Sequence, residues 1–305
     1  MGKSEKIWMD GKIVNWEDAQ IHILSHTLHY GFGVFEGTRC YKTVDGSAIF
    51  RLNDHIKRLY NSAHILTIDI PITMKEMEKA SKDIVKANRF EECYLRHIVY
   101  IGDGELGLGT MTNPVRVGIA VWKWGAYLGE EGLKKGIHLK TSSYARLPIV
   151  GFPAKAKAVG NYVNSILAKR EALKGGYDEA MLMDTNGYVA EASGENIFLV
   201  HDDTLITPPV SSSILNGITR MSVIELAKDL GIGVREEIFP RDTVYVSDEV
   251  FLTGTAAEVT PVREVDHRKI GKGKPGPVTK RIQAAFFDAV LGKNPKYKKW
   301  LSYID

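Results

Sequence analysis

Lys155 and Lys157 stand two residues apart in Gly151-Phe-Pro-Ala-Lys-Ala-Lys-Ala-Val-Gly-Asn-Tyr162, a run otherwise made of small, apolar and uncharged residues. In an extended chain, residues two apart share a face, so both amines are able to point the same way. An amine in apolar surroundings loses hydration as a cation, its pKa falls, and it becomes a nucleophile suited to a Schiff base. Taken alone, the segment reads as a solvated basic loop ahead of a helix. Three other stretches offer complementary chemistry. Asn216-Gly-Ile-Thr-Arg220 opens a helix, and the N–H groups of a helix start beside a threonine hydroxyl form a natural phosphate cup. An ordinary capped helix has the same appearance. Thr253-Gly-Thr-Ala-Ala257 is a small, hydroxyl-rich turn of the kind that aims backbone N–H groups at anions or merely joins two elements. Glu191-Ala-Ser-Gly-Glu195 sets two carboxylates among small residues between two strands.

An amine, a carboxylate, a phosphate cup and an anion-binding turn form the set that pyridoxal phosphate requires. The amine holds the aldehyde and later moves a proton, and the carboxylate keeps the ring nitrogen protonated. Two other patterns carry less. Gly102-Asp-Gly-Glu-Leu-Gly-Leu-Gly109 contains G-x-G-x-x-G after an expected strand. A dinucleotide fingerprint needs a helix directly after the glycines and an acidic residue about 20 positions on. Asn113-Pro114 and the strand-like segment beyond leave no room for that helix, so a flexible glycine loop is expected. His26 and His29 have no neighbouring carboxylate or cysteine to complete a metal site, and packing or hydrogen-bonding histidines are expected.

The elements that must position these groups fit an ordinary globular chain. Its 305 residues suffice for two domains, and 44% hydrophobic with 25% charged residues is average. Forty basic residues oppose 37 acidic ones and are scattered, which gives no case for nucleic acid or a membrane surface. Cys40 and Cys93 are far apart and isolated, suggesting neither a disulfide framework nor zinc. Met1-Gly-Lys-Ser-Glu-Lys6 carries no apolar signal region and no apolar run is long enough to span a bilayer, so the cytoplasm is the expected compartment.

Along the chain, Ile7-Trp-Met-Asp-Gly-Lys-Ile-Val14 reads as a hairpin turning at Asp10-Gly11, and residues 38–50 as another turning at Asp45-Gly46. Leu52, Ile56, Leu59, Ala63 and Leu66 recur at helical spacing, with Asn53 or Asp54 as the expected cap. Thr73-Met-Lys-Glu76 is a capping box opening a helix to about Asn88. Strands are expected at 94–101, 115–122, 137–142, 179–184, 196–201 and 250–253, with Asn186-Gly187 as a turn. Helices are expected at 162–174, with Val163, Ile166, Leu167 and Leu173 on its apolar side, at 218–230 ending at Gly231, and at 278–291. This order gives an α+β class with a small N-terminal domain at 1–122, an interdomain loop at 123–134 and a larger cofactor-binding domain at 135–305.

His26-Thr-Leu-His-Tyr-Gly31, Val34-Phe-Glu-Gly-Thr-Arg-Cys-Tyr41, Tyr94-Leu-Arg96, Trp124-Gly-Ala-Tyr-Leu128, Lys157-Ala-Val-Gly-Asn-Tyr162, Asp184-Thr-Asn-Gly-Tyr188, Glu191 to Asn196, Leu215-Asn-Gly-Ile-Thr-Arg220 and Thr253-Gly-Thr-Ala-Ala-Glu258 occur in this order. As a set they resemble the branched-chain amino acid aminotransferases, within the fold type IV group that also holds D-amino acid transaminase and aminodeoxychorismate lyase. The resemblance runs from Trp8 to Phe287 and implies a two-domain α+β fold with the active site between the domains. It implies pyridoxal 5'-phosphate bound covalently by Lys157, with Lys155 outside the motif and structural. Glu191 would pair with the ring nitrogen, Tyr162 with the ring's 3-oxygen, and Leu215 would pack on the ring. Arg58, the N–H groups of Ile218 and Thr219, Gly254 and Thr255 would hold the phosphate.

For the substrate, the resemblance implies that Thr255 and Ala256 bind the α-carboxylate. Tyr30, Phe35, Gly37, Tyr94, Trp124, Tyr127 and Tyr162 would wall an apolar pocket, and Arg96 would meet the side-chain carboxylate of glutamate. Tyr30 and Leu108 would reach across from a second subunit, with a homodimer as the minimal unit and a hexamer as a higher assembly. The implied reaction is ping-pong transfer of the amino group of leucine, isoleucine or valine to 2-oxoglutarate, giving 2-oxo acids and L-glutamate, with no metal. His97 stands where the pattern has proline, which bears on how Arg96 is placed. The rival readings are a D-amino acid transaminase or aminodeoxychorismate lyase, a non-catalytic phosphate-ligand binding protein, and a dinucleotide oxidoreductase.

Overall fold

A computed structural model describes residues 4–304, so the N-terminal stretch Met1 to Lys3 lies outside the described residues. The chain divides into two compact units. One takes the residues up to Trp124, Ala156–Gly160 and those from Ala289 on; the other takes Gly125–Lys155 and Asn161–Asp288. The first cut falls within the loop expected at 123–134. Residues 156–160 and the C-terminal stretch, however, group with the first unit and not with a continuous 135–305 domain.

Among the described residues, the first unit is built on a seven-stranded antiparallel sheet in the order Leu301–Tyr303, Gly46–Phe50, Gly33–Thr43, Cys93–Ile101, Val115–Trp122, Lys6–Met9, Lys12–Asn15. Helices Leu52–Ile65 and Met74–Ala87 cover one face, where Val34, Cys40, Leu95, Val99 and Ile119 pack with Leu52, Ile56, Leu59, Met77 and Ile84. Strand alternation therefore sends Val34, Glu36 and Cys40 towards the helices and Phe35, Gly37 and Arg39 to the other face.

Asp10 and Gly11 form the first hairpin turn as expected, both with positive φ, 45° and 91°. The second hairpin differs. Thr43 pairs with Gly46, so Val44 and Asp45 make the turn, one residue earlier than the sequence suggests, and the first strand begins already at Gly33. Thr73 and Glu76 form the capping box in both directions. The N-cap position of helix Leu52–Ile65 is Arg51, not Asn53 or Asp54, and it makes no side-chain cap bond; Arg51 takes a left-handed φ of 50° and donates from Nε to Asp54 at 2.6 Å. Cys40 and Cys93, remote in sequence, lie directly opposite on neighbouring strands and are buried; the Cys93 thiol is pushed up by its contact with Cys40 and by burial.

The second unit carries a nine-stranded mixed sheet among the described residues. Its order is Val234–Glu236, Thr204–Thr207, Asn196–His201, Glu249–Gly254, Glu258–Val265, Ile137–Thr141, Glu179–Met183, Val189–Ala192, with Arg268–Lys269 beside Glu258–Val265. Strand Val189–Ala192 places Glu191 inside a strand, where the sequence reading has it between two. Helices Tyr162–Lys174 and Ile218–Asp229 have the expected limits to within a residue. The buried side of Tyr162–Lys174 does not follow expectation. Val163, Ile166, Leu167 and Leu173 are exposed, 60%, 51%, 41% and 54%, while Ser165, Ala168 and Ala172 are buried. Ala168 and Ala172 pack on Ala180 and Leu182 of the sheet, and small residues on both sides let helix and strand approach closely.

Candidate active site

In the first unit, the segment around Lys157 is fixed as a short backbone addition to the start of the strand Gly33–Thr43. Phe35 donates its N–H to Lys157 O at 3.1 Å, Val159 to Gly33 O at 2.9 Å and Gly160 to Gly31 O at 3.0 Å. The Lys157 N–H reaches Ser62 Oγ of helix Leu52–Ile65 at 3.0 Å. The two glycines have a reason: Gly31 has φ +67°, and a Cβ there would sit 3.0 Å from Gly160 Cα. The alanines flanking Lys157, Ala156 and Ala158, are buried.

This anchoring sets Lys157 Nζ 4.7 Å from the centre of the Phe35 ring. The Arg96 guanidinium lies 4.8 Å from the same ring centre, 5.6 Å from Tyr94 and 5.9 Å from Trp122, within the range where a cation is attracted to an aromatic face. Arg96 is directly opposite Gly37, where a Cβ would fall on the Tyr94 hydroxyl. Trp124 meets Tyr94 edge-on at 4.8 Å. Phe35, Gly37, Tyr94, Arg96, Trp124 and Lys157 are thus brought together on the sheet face away from the helices. Tyr30 Oη donates to Leu106 O at 2.7 Å, and Leu108 is 84% exposed.

Arg58 is engaged by a residue the sequence reading passed over. Its Nε and NH2 meet Glu36 Oε1 and Oε2 at 2.5 and 3.0 Å, and His55 Nδ1 lies 2.8 Å from Glu36 Oε2. Burial pushes the Glu36 carboxyl up, but the charges and hydrogen bonds of Arg58 and His55 outweigh it and hold it well below the usual carboxylate range. His97 shares this side of the sheet, opposite Glu36, with Nε2 2.7 Å from Ser81 Oγ; burial pushes its pKa down to about 4. A histidine in place of proline leaves Arg96 in an unbroken ladder, paired with Gly37 on one side and Ala120 on the other.

In the second unit, Glu191 is 4% exposed and takes four hydrogen bonds. Arg146 Nε and NH2 donate to Oε1 at 2.8 and 2.5 Å; Asn196 Nδ2 and the Leu215 N–H donate to Oε2, each at 3.1 Å. Arg146 was not singled out in the sequence, and nothing marks it there, since its partner is 45 residues away. Lys155, set apart from Lys157 on resemblance alone, donates to Ser212 O at 3.0 Å and Ile214 O at 2.9 Å, holding the turn that ends at Leu215. Burial pulls its amine below the ordinary lysine value.

The helix Ile218–Asp229 starts with buried Ile218 and Thr219, behind Gly217, which supplies no side-chain cap. Its first N–H groups therefore suit an anion. Thr253 Oγ1 is buried with no hydrogen-bond partner among the described residues, next to the half-buried turn of Gly254, Thr255 and Ala256. Tyr162 is the half-buried first residue of its helix, and Tyr127 lies with its ring centre 5.4 Å from Lys169 Nζ. An uncapped helix start, an orphaned hydroxyl and a rigidly held carboxylate fit the phosphate and the ring nitrogen of pyridoxal phosphate.

The two weaker motifs resolve differently. Residues 102–109 form a loop leading to the strand Val115–Trp122, with no helix after the glycines, so the dinucleotide reading fails. His26 Nε2 lies 3.2 Å from Gly107 O and His29 Nε2 2.9 Å from Ile23 O, the hydrogen-bonding roles expected of them.

The amino-transferase class IV family model matches residues 33–265. A branched-chain-amino-acid aminotransferase of Pseudomonas aeruginosa (strain PAO1) is 50% identical over 298 residues, covering 98% of this chain and 97% of that protein. The solved structure of the branched-chain amino acid aminotransferase of Escherichia coli is similar at a TM-score of 0.98 and 45% identity, over 99% of this chain and 100% of that one. The T.th. branched-chain amino acid aminotransferase, solved with pyridoxamine 5'-phosphate, is similar at 0.97 and 51%, over 100% of both chains.

Proposed function

The chain belongs to the class IV aminotransferases, and from that premise we propose that it transfers amino groups from leucine, isoleucine and valine to 2-oxoglutarate, with pyridoxal 5'-phosphate as cofactor. The relative solved with pyridoxamine 5'-phosphate, the amino form of that cofactor, supports the assignment. D-amino acid transamination and aminodeoxychorismate lysis are not favoured, since the near-full-length relatives are branched-chain enzymes.

When bound, pyridoxal phosphate supplies the aldehyde that receives the amino group and a ring that draws electrons from the α-carbon. Lys157 would hold the cofactor through its amine and, when its Nζ is free, would move a proton to and from the substrate α-carbon. Glu191 would accept the N–H of the protonated ring, and Tyr162 is assigned to the 3-oxygen and Leu215 to the ring face. Ile218, Thr219, Gly254 and Thr255 are assigned to the phosphate, with Arg58 as its counter-charge, and Thr255 and Ala256 to the substrate α-carboxylate.

The observation that carries the substrate assignment is the single Phe35 ring touched by both Lys157 and Arg96. Phe35, Tyr94 and Trp124 offer an aliphatic side chain apolar contact beside the reactive amine. Arg96 offers the carboxylate of glutamate the partner without which its burial would be costly. The exposed Tyr30 and Leu108 support a homodimer as the minimal unit, with a second copy meeting this surface. The cytoplasm is the proposed compartment; no helix among the described residues is long and apolar enough to cross a membrane.

Replacing Lys157 with alanine tests the reading. The variant should retain its fold by circular dichroism and lose turnover of L-leucine with 2-oxoglutarate by at least about 10³-fold, the loss expected when a covalent catalyst is removed. Activity within tenfold of the parent would sink the assignment.

A further inference from the structure

Arg146 holds Glu191 by a forked pair of bonds to one oxygen, Oε1, and leaves Oε2 to Asn196 and the Leu215 N–H. Both oxygens of Glu191 are thus braced by donors of the chain, two on each. Arg146 is itself fixed: its NH1 donates to Ser165 Oγ at 2.9 Å and Asn164 Oδ1 at 3.3 Å, and its backbone N–H donates to Met183 O at 2.7 Å. The side chain of Arg146 is 16% exposed and that of Glu191 6%, so the pair is shielded from solvent.

We propose that Arg146 is a positioning residue for the reaction, acting on the cofactor ring only through Glu191. This rests on the reading of Glu191 as the partner of the ring nitrogen. A carboxylate held by only two donors on one oxygen can swing about its last bond. The guanidinium fork on the other oxygen removes that freedom, because rotation would break both of its bonds together. Arg146 also places a fixed positive charge on the carboxylate that must share its negative charge with a protonated ring, so its removal alters the proton affinity of the ring nitrogen. Lysine cannot replace it, because a single ammonium does not reproduce the fork.

The test uses the holoenzyme and four variants: Arg146→Met, Arg146→Lys, Glu191→Gln and the double Arg146→Met/Glu191→Gln. Supporting partners of metal ligands are worth about 10–100-fold, and the same scale is expected here. Arg146→Met should lower kcat about tenfold with KM for L-leucine within twofold, and should shift the pH midpoint of the cofactor's visible absorbance. It should also raise the Kd for pyridoxal phosphate, measured by equilibrium dialysis. Arg146→Lys should fall on the same side with a smaller loss, and it replaces Arg146→Met if the latter does not fold. The double variant should be no worse than Glu191→Gln alone, because both changes break one chain of contacts. Losses that multiply in the double variant, or a change confined to KM, would overturn the proposal. A parent protein that binds no pyridoxal phosphate would overturn the reading of the site itself, which separates the two failures.

Discussion

Glu36 and Glu191 are both buried carboxylates gripped by an arginine, yet the grips are built differently. The side-chain partners of Glu36, His55 and Arg58, come from one helix, Leu52–Ile65, so the carboxylate ties that helix to the strand Gly33–Thr43. Glu191 draws its donors from three separated points of the chain, Arg146, Asn196 and Leu215. A local grip serves helix-on-sheet packing. A convergence of distant donors serves to aim one carboxylate. Glu195 makes the third case: it is 4% exposed, takes the Gly194 N–H at 3.1 Å, and has the Glu179 carboxylate among its electrostatic neighbours. Burial and that like charge raise its pKa to about 8, with Lys169 offsetting only part. Burial is common to all three; the partners differ.

The largest expected effects separate the first two. Glu36→Gln removes the buried charge that Arg58 and His55 both meet and should cost about 3–5 kcal/mol of stability, read from urea unfolding, while turnover of the folded fraction with saturating cofactor stays within about tenfold. Glu191→Gln should show the reverse, turnover falling on the order of 10²-fold with a smaller loss of stability. If both variants rank the same way in both measurements, the two networks do not differ in role.

A smaller effect tests the third carboxylate. Between its ordinary value of 4.5 and the raised value of about 8, the folded state keeps a proton on Glu195 that the unfolded state has lost. Its contribution is therefore full below about pH 4.5 and is lost as the pH rises through that window. Glu195→Gln should flatten the fall of the melting temperature between pH 5 and pH 8; an unchanged slope would place the proton elsewhere. His97, pushed down to about 4, contributes the opposite slope, with stability lost as pH falls below its ordinary value of 6.5.

What was legible in the sequence was mostly local. Asp10-Gly11 was readable because a two-residue hairpin turn demands positive φ, and Thr73-Met-Lys-Glu76 because its bonds lie within one turn. The α+β class was readable from element order, and the Lys157 segment from its small residues and their resemblance. The inward face of Tyr162–Lys174 was not readable, because alanine and serine at the sheet reverse the usual rule that the larger apolar residues face inward. Arg146 and the Cys40–Cys93 neighbours depend on pairings that only the folded sheets create. Glu36 was hidden for another reason: inside a strand that mixes apolar with polar and charged residues, one carboxylate gives no sign of the His55 and Arg58 that await it.

The central claim is amino transfer from branched-chain L-amino acids through an enzyme that alternates between two forms. Initial rates with L-leucine and 2-oxoglutarate, each varied at several fixed levels of the other and run beside D-alanine, test it most directly. Parallel lines in the double-reciprocal plot, with L-leucine preferred over D-alanine, are the result predicted. Intersecting lines, or a preference for D-alanine, would contradict it.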